Sequence, residues 1–226
     1  MVKKLVLFDV DKTLLNMKIK YPDGHINKYK RILNRDVKRS EENFEGYTYL
    51  WIILKTLEDE GIKKDPETIQ KLFDARLEDI NISDLSESKL MEGVLSLLEE
   101  LHKDKNIIIG ISTGNTKDVT YAKLKHFNID RYFLVGGFGD KYTERSDVVK
   151  EAVREAENIY GHIDKKDIYI IGDTKHDILS AKKAGVKSIA VASGYFSVEE
   201  LKKENPDYIF KDLKNTSNIL KVIRNG

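Results

Sequence analysis

Apolar positions near the start of the chain form an unbroken run, Leu5-Val6-Leu7-Phe8, that ends on Asp9 and Asp11. A run this short reads as a buried strand, set here at about Lys3 to Asp9. From about Asn16 to Glu87 the pattern is helical. Tyr47, Leu50, Trp51, Leu54 and Leu57 recur every three or four residues and share one helix face, and Gly61 follows as a stop. Asp65-Pro66-Glu67 reads as an N-cap, a first-turn proline and an acidic first turn, opening a helix through about Asp79.

After Glu87 helices and apolar strands alternate. The predicted helices are Met91 to Lys103, Lys117 to Phe127, Ser146 to Tyr160 with Val149, Ala152, Val153 and Ala156 inward, and Lys175 to about Gly185. The predicted strands are Asn106 to Ser112, Tyr132 to Val135, Asp167 to Ile171, Lys187 to Ala192 and Tyr208 to Phe210. Ser197 and Glu200 make a capping box, and Asp212 is placed as the cap of a C-terminal helix. Continuous apolar strands separated by helices predict an α/β fold, a parallel sheet covered on both faces. Ligands in such sheets bind at the carboxyl ends of the strands. Those ends carry Asp9 and Asp11; Thr113, Gly114 and Asn115; Lys141 and Arg145; and Asp173 with Asp177.

Composition narrows the chemistry. The chain has 226 residues, 39 Lys plus Arg against 38 Asp plus Glu, and no cysteine. The balanced charge makes nucleic acid an unfavoured partner. Disulfides, thiolate catalysis and cysteine zinc sites are excluded. No apolar run approaches the roughly 18 residues a bilayer span needs, and no leader pattern precedes the first strand, so a cytoplasmic protein is expected. The basic run Lys28, Lys30, Arg31, Arg35, Lys38, Arg39 reads first as a solvated face and second as a surface for an anionic substrate.

Three carboxylates, Asp9, Asp11 and Asp173, with Asp177 behind them, repel one another unless a cation lies between them. An oxygen-only donor set suits Mg²⁺. The metal would make Asp9 a usable nucleophile toward a phosphate. The Thr113 hydroxyl, the amides of Gly114 and Asn115 and a cationic side chain from the third strand end would hold the phosphoryl oxygens.

Asp9-Val10-Asp11-Lys12-Thr13, Thr113 after an apolar strand, a basic residue before a helix, and Gly172-Asp173-Thr174-Lys175-His176-Asp177 resemble, in order and spacing, the four motifs of the haloacid dehalogenase superfamily. The resemblance implies a Rossmann-like core over residues 1–15 and 88–226, and a helical C1-type cap inserted over 16–87. It implies an aspartyl-phosphate at Asp9, with Asp11 protonating the leaving group and then deprotonating water. Mg²⁺ would be held by the Asp9 carboxylate, the Asp11 backbone carbonyl, Asp173 and Asp177. The third motif usually has Lys; here Arg145 fits the register best, with Lys141 as the other candidate. The dehalogenase branch lacks the second Asp, so Asp11 favours phosphoryl chemistry.

The layout is similar to the phosphoglycolate phosphatase-like branch, which implies a small phosphorylated metabolite as partner. The oligomeric state stays open. The alternatives are a phosphomutase of the β-phosphoglucomutase type, phosphonate hydrolysis using Lys18, Lys20 or Lys28, and a non-catalytic phosphate-binding protein. His176 is read as a solvated first-turn residue, Lys12 as a solvated turn residue, and Tyr47, Tyr49 and Trp51 as cap core or cap–core seam.

Overall fold

A computed structural model describes residues 3–18, 24–37, 44–82 and 85–226. Six parallel strands form the central sheet: β1 (Lys4–Phe8), β4 (Ile107–Ser112), β5 (Val135–Gly137), β6 (Ile168–Gly172), β7 (Lys187–Val191) and β8 (Tyr208–Phe210). Their order is β5-β4-β1-β6-β7-β8, which puts β1 between β4 and β6. Side chains alternate along β1, so Val6 and Phe8 enter one core layer and Leu5 and Leu7 the other. Helices α4 (Val94–Lys103), α5 (Lys117–His126) and α9 (Thr216–Asn225) contribute to the first layer; α6 (Arg145–Tyr160) and α7 (Lys175–Ala184) contribute to the second. A short α8 (Val198–Lys202) carries the Ser197–Glu200 capping box.

Helices α1 (Gly24–Leu33), α2 (Tyr49–Asp59) and α3 (Pro66–Ile82) lie between β1 and β4 in the chain. They have an apolar cluster of their own, around Ile53, Leu57 and Leu72. The chain leaves and re-enters the core through a two-stranded antiparallel ribbon, β2 (Leu15–Asn16) against β3 (Lys89–Leu90). Ser88 Oγ ties the ribbon further, accepting from the Lys18 amide at 2.9 Å. Among the described residues no helix is long and apolar enough to cross a membrane.

The helix signals hold in detail. Asp65 accepts from the Thr68 amide at 2.9 Å, and Gly61 follows α2 with φ +62°. Four expectations shift. The buried stripe of α2 runs through Ile53 and Leu57, while Tyr47 precedes the helix. The segment from Met91 starts its helix only at Val94, because the Met91 amide still bonds the Leu14 carbonyl and Gly93, at φ +86°, forms the N-cap. The third core strand is Val135–Gly137 and not Tyr132–Val135. Its glycines are there for close packing: a Cβ on Gly137 would overlap the Val148 carbonyl of α6. Asn215 caps α9 in place of Asp212, accepting from the Asn218 amide at 3.3 Å. Lys20, Lys38 and Arg39 lie outside the described residues.

Candidate active site

The ends of β1 and β6 are adjacent because those strands pair in register, Phe8 beside Ile171. Asp9 follows the first and Asp173 the second, so two carboxylates meet at the sheet's carboxyl edge. Asp177 joins them from the first turn of α7. There it completes a capping box: its Oδ2 accepts from the Thr174 amide at 3.1 Å and the Thr174 hydroxyl at 2.7 Å. One oxygen each of Asp9, Asp173 and Asp177 lies within 4.8 Å of the others, and all three residues are buried. The Thr13 hydroxyl donates to Asp173 Oδ1 at 2.9 Å. Gly194 leaves room for the same carboxylate, since a Cβ there would overlap Asp173 Oδ2.

Arg145, the first residue of α6, reaches into this cluster. Its Nη2 donates to Asp9 Oδ1 at 3.1 Å, to the Ser112 carbonyl at 3.3 Å and to Asp177 Oδ1. Lys141 does not: its side chain is 68% exposed and its Nζ stands 3.7 Å from Glu151. Of the two candidate cations, only Arg145 faces the carboxylates.

Electrostatics show what the cluster lacks. Burial, followed by the Asp177 charge, pushes Asp9 up to about 7 against the pull of Arg145. Burial, then Asp9 and Asp177, pushes Asp173 up to about 9. Asp9 and Asp173, buried beside Asp177 with one guanidinium, therefore hold protons well above the usual carboxylate range. A divalent cation would remove that penalty, and the donors are all oxygen, as Mg²⁺ prefers. Asp11 Oδ1, Ser112 Oγ and Arg145 Nε are also buried without a hydrogen-bond partner, so polar groups around the strand ends have capacity to spare.

Asp11 stands apart from the cluster. Its Oδ2 accepts from Lys123 Nζ at 2.6 Å and from Asn115 Nδ2 at 2.8 Å. Burial pushes this carboxyl up, but the Lys123 ammonium and the two hydrogen bonds outweigh it and hold Asp11 below its ordinary value. The Asp11 carboxylate is thus not part of the acidic cluster, which leaves only its backbone carbonyl for the metal role that the resemblance implies. The two acids of one motif have opposite environments.

Thr113 is buried, and its Oγ1 accepts from the Asn115 amide at 3.3 Å. Asn115 thus supports Asp11 through its side chain and Thr113 through its amide. Gly114 is pinched: a Cβ there would overlap the Tyr47 carbonyl and lie 2.9 Å from Arg145 Nη1. The Gly114 and Gly139 carbonyls accept from the Tyr49 and Leu50 amides at 2.7 and 2.8 Å, which seats the start of α2 over the site. Tyr47 stacks on Trp51 with centroids 4.2 Å apart, and its ring lies 4.5 Å from that of His176. His176 is accordingly half-buried in this seam, not solvated; burial and then Arg145 lower its proton affinity.

Lys12 takes φ +65°, with its Nζ on Asn16 at 2.9 Å and its carbonyl held by Ser193 Oγ at 2.7 Å, so it is a built turn and not merely a solvated one. Lys123 and the Ser193-Gly194 loop are absent from the sequence-based set. Lys123 had a readable signal: it sits three and four residues after Thr120 and Val119, on the buried stripe of α5.

A family profile described as haloacid dehalogenase-like hydrolase matches residues 6–191. A PpaX-named protein of Caldanaerobacter subterraneus subsp. tengcongensis is 32% identical over 61% of this chain, which spans only 60% of that relative. Pyrophosphatase PpaX of Halalkalibacterium halodurans is 23% identical over 96% of each chain. A phosphoglycolate phosphatase of Agrobacterium fabrum is 28% identical over 56% of this chain and 52% of its own length. The crystal structure of a predicted phosphatase from Clostridium acetobutylicum superposes with a TM-score of 0.68 at 27% identity, covering 98% of this chain and all of the other. With the profile spanning β1 through β7, and acids and a cation at the strand ends, the chain belongs to the haloacid dehalogenase-like hydrolase family.

Proposed function

We propose that this chain is a Mg²⁺-dependent phosphatase that hydrolyses a small phosphorylated metabolite through a phosphorylated Asp9. The observation that carries the reading is the division of labour between Asp9 and Asp11. Asp9 faces Asp173, Asp177 and Arg145. Asp11 faces Lys123 and Asn115. These separate surroundings support reading one carboxylate as the nucleophile and the other as a separate acid/base.

The residues fit Mg²⁺, with the Asp9 and Asp173 carboxylates and the Asp11 carbonyl as ligands and Asp177 beside them. Bound there, the metal would neutralise phosphate charge as Asp9 approaches. Arg145 binds phosphoryl oxygens and steadies Asp9. Asp9 attacks phosphorus while Asp11 protonates the departing oxygen. Asp11 then takes a proton from the water that displaces Asp9. The Thr113 hydroxyl and the Gly114 amide, at the end of β4, complete the phosphate cradle. Residues 1–15 and 88–226 act as the catalytic core and 16–87 as a cap. The seam formed by Tyr47, Trp51 and His176 limits the site to small substrates.

Among substrates, pyrophosphate ranks first and phosphoglycolate second. The relatives that match this chain nearly end to end carry pyrophosphatase names. Two phosphoglycolate phosphatases match over little more than half of their length. The test is phosphate release from pyrophosphate, phosphoglycolate and nitrophenyl phosphate, with and without Mg²⁺, by wild type and Asp9→Asn. Release should need Mg²⁺ and vanish in the variant. Release that survives Asp9→Asn would remove the nucleophile assignment.

A further inference from the structure

Lys123 is 1% exposed, and an ammonium buried that deeply costs several kcal/mol unless it is well paired. Its Nζ donates to Asp11 Oδ2 at 2.6 Å and to Asn115 Oδ1 at 3.4 Å. Asn115 in turn donates its own Nδ2 to the same Asp11 Oδ2 at 2.8 Å. Asp11 is therefore gripped through one oxygen by two donors, while its Oδ1 has no partner. A proton placed on Oδ2 would point into N–H groups that already occupy that oxygen. A proton on Oδ1 meets no such conflict, and Oδ2 goes on accepting from both donors whether or not Oδ1 is protonated.

We infer that Lys123, with Asn115, is a positioning residue that fixes Asp11 by Oδ2 and makes Oδ1 the oxygen that exchanges protons during hydrolysis. The inference rests on the reading of Asp11 as the acid/base. In the first half-reaction the bond from phosphorus to the leaving oxygen breaks as the Asp9–phosphorus bond forms, and the Oδ1 proton goes to the leaving oxygen. In the second, water oxygen bonds to phosphorus as the Asp9 bond breaks, and one water proton returns to Oδ1. Oδ1 first takes one proton from solvent; the second step returns it, so each turnover consumes no further proton. Lys123 itself touches neither phosphate nor water in these steps.

The demand on a general acid depends on the leaving group. An alkoxide needs the proton as it departs, whereas nitrophenolate leaves without it. Misaligned catalytic groups cost on the order of 100-fold. Lys123→Met should therefore lower kcat about 100-fold for an alkyl ester such as phosphoglycolate and less than about tenfold for nitrophenyl phosphate. Asn115→Ala should show the same split with a smaller amplitude. It also keeps the test alive should Lys123→Met not fold, because it exposes no buried charge. Trp51 emission, from the single tryptophan, verifies folding of each variant. Equal losses on both esters, with Asp9 dependence intact, would overturn the positioning role alone. Loss of Asp9 dependence would take the underlying reading down with it.

Discussion

Arg145 bridges acids that arrive from two different strands, Asp9 from the end of β1 and Asp177 from beyond β6. A guanidinium suits this place better than an ammonium, because its planar fork addresses several acceptors at once and it stays charged. Arg145→Ala removes the guanidinium that bonds Asp9, so phosphate should bind at least tenfold more weakly, while Mg²⁺ should still bind the remaining carboxylates. Lys141→Ala should change neither. Phosphate inhibition constants and Mg²⁺ titrations of the two variants check this; a phosphate defect in Lys141→Ala alone would reverse the assignment. The preference for Arg145 was legible as register before a helix. Its multiple partners were not, because they come from segments 32 and 136 residues away in the chain.

At the scale of elements, the site is built by the contact between the start of α2 and the loops after β4 and β5. Thr48 caps α2, accepting from the Trp51 amide at 3.3 Å, and its own hydroxyl donates to the Thr143 carbonyl at 3.1 Å. With the Tyr49 and Leu50 amides also bonded to core carbonyls, the helix start is held to the core by its unpaired first-turn donors. Gly114 is the position that allows so close an approach. Gly114→Ala should push the α2 start away, lower kcat/KM by tenfold or more and cost about 1–3 kcal/mol of stability, the usual range for overpacking. The stacked Trp51 gives the readout: its emission should change in the variant. Unaltered emission and kinetics would mean that this contact does not shape the site. The helices themselves were legible from periodicity, Asp65-Pro66 and Gly61. Their docking was not, since it depends on backbone groups that carry no side-chain signal.

At the scale of the molecule, the acidic cluster couples the fold to pH. Asp9 and Asp173 ordinarily titrate at 3.8 and are raised to about 7 and about 9 in the folded chain. A raised pKa means that the folded protein keeps protons the unfolded chain has released. Stability from these groups is therefore full below about pH 4 and is lost as pH rises toward 9. Without divalent metal, the unfolding temperature should fall from pH 5 to pH 9. Mg²⁺ bound at the cluster would replace the protons, so its stabilising effect should be small at pH 5 and large at pH 9. Thermal unfolding in a chelator and in Mg²⁺ across that range checks the sign. A chelator curve that rises with pH would mean that the cluster is not cation-seeking.

By itself the sequence determined the alternation of strands and helices, the inserted helical stretch and the four strand ends that bear acids, a hydroxyl and a cation. These follow from local periodicity and from the rule that a parallel sheet presents its carboxyl ends together. Tertiary structure decided the partners. It turned Asp11 away from Asp9 and onto Lys123, drew Arg145 rather than Lys141 inward, and set Gly194 against Asp173 and His176 under Tyr47. Each of these joins segments far apart in the chain. Which charge meets which is fixed by the order of strands in the sheet and by the seating of α2, and neither is written in any single stretch of residues.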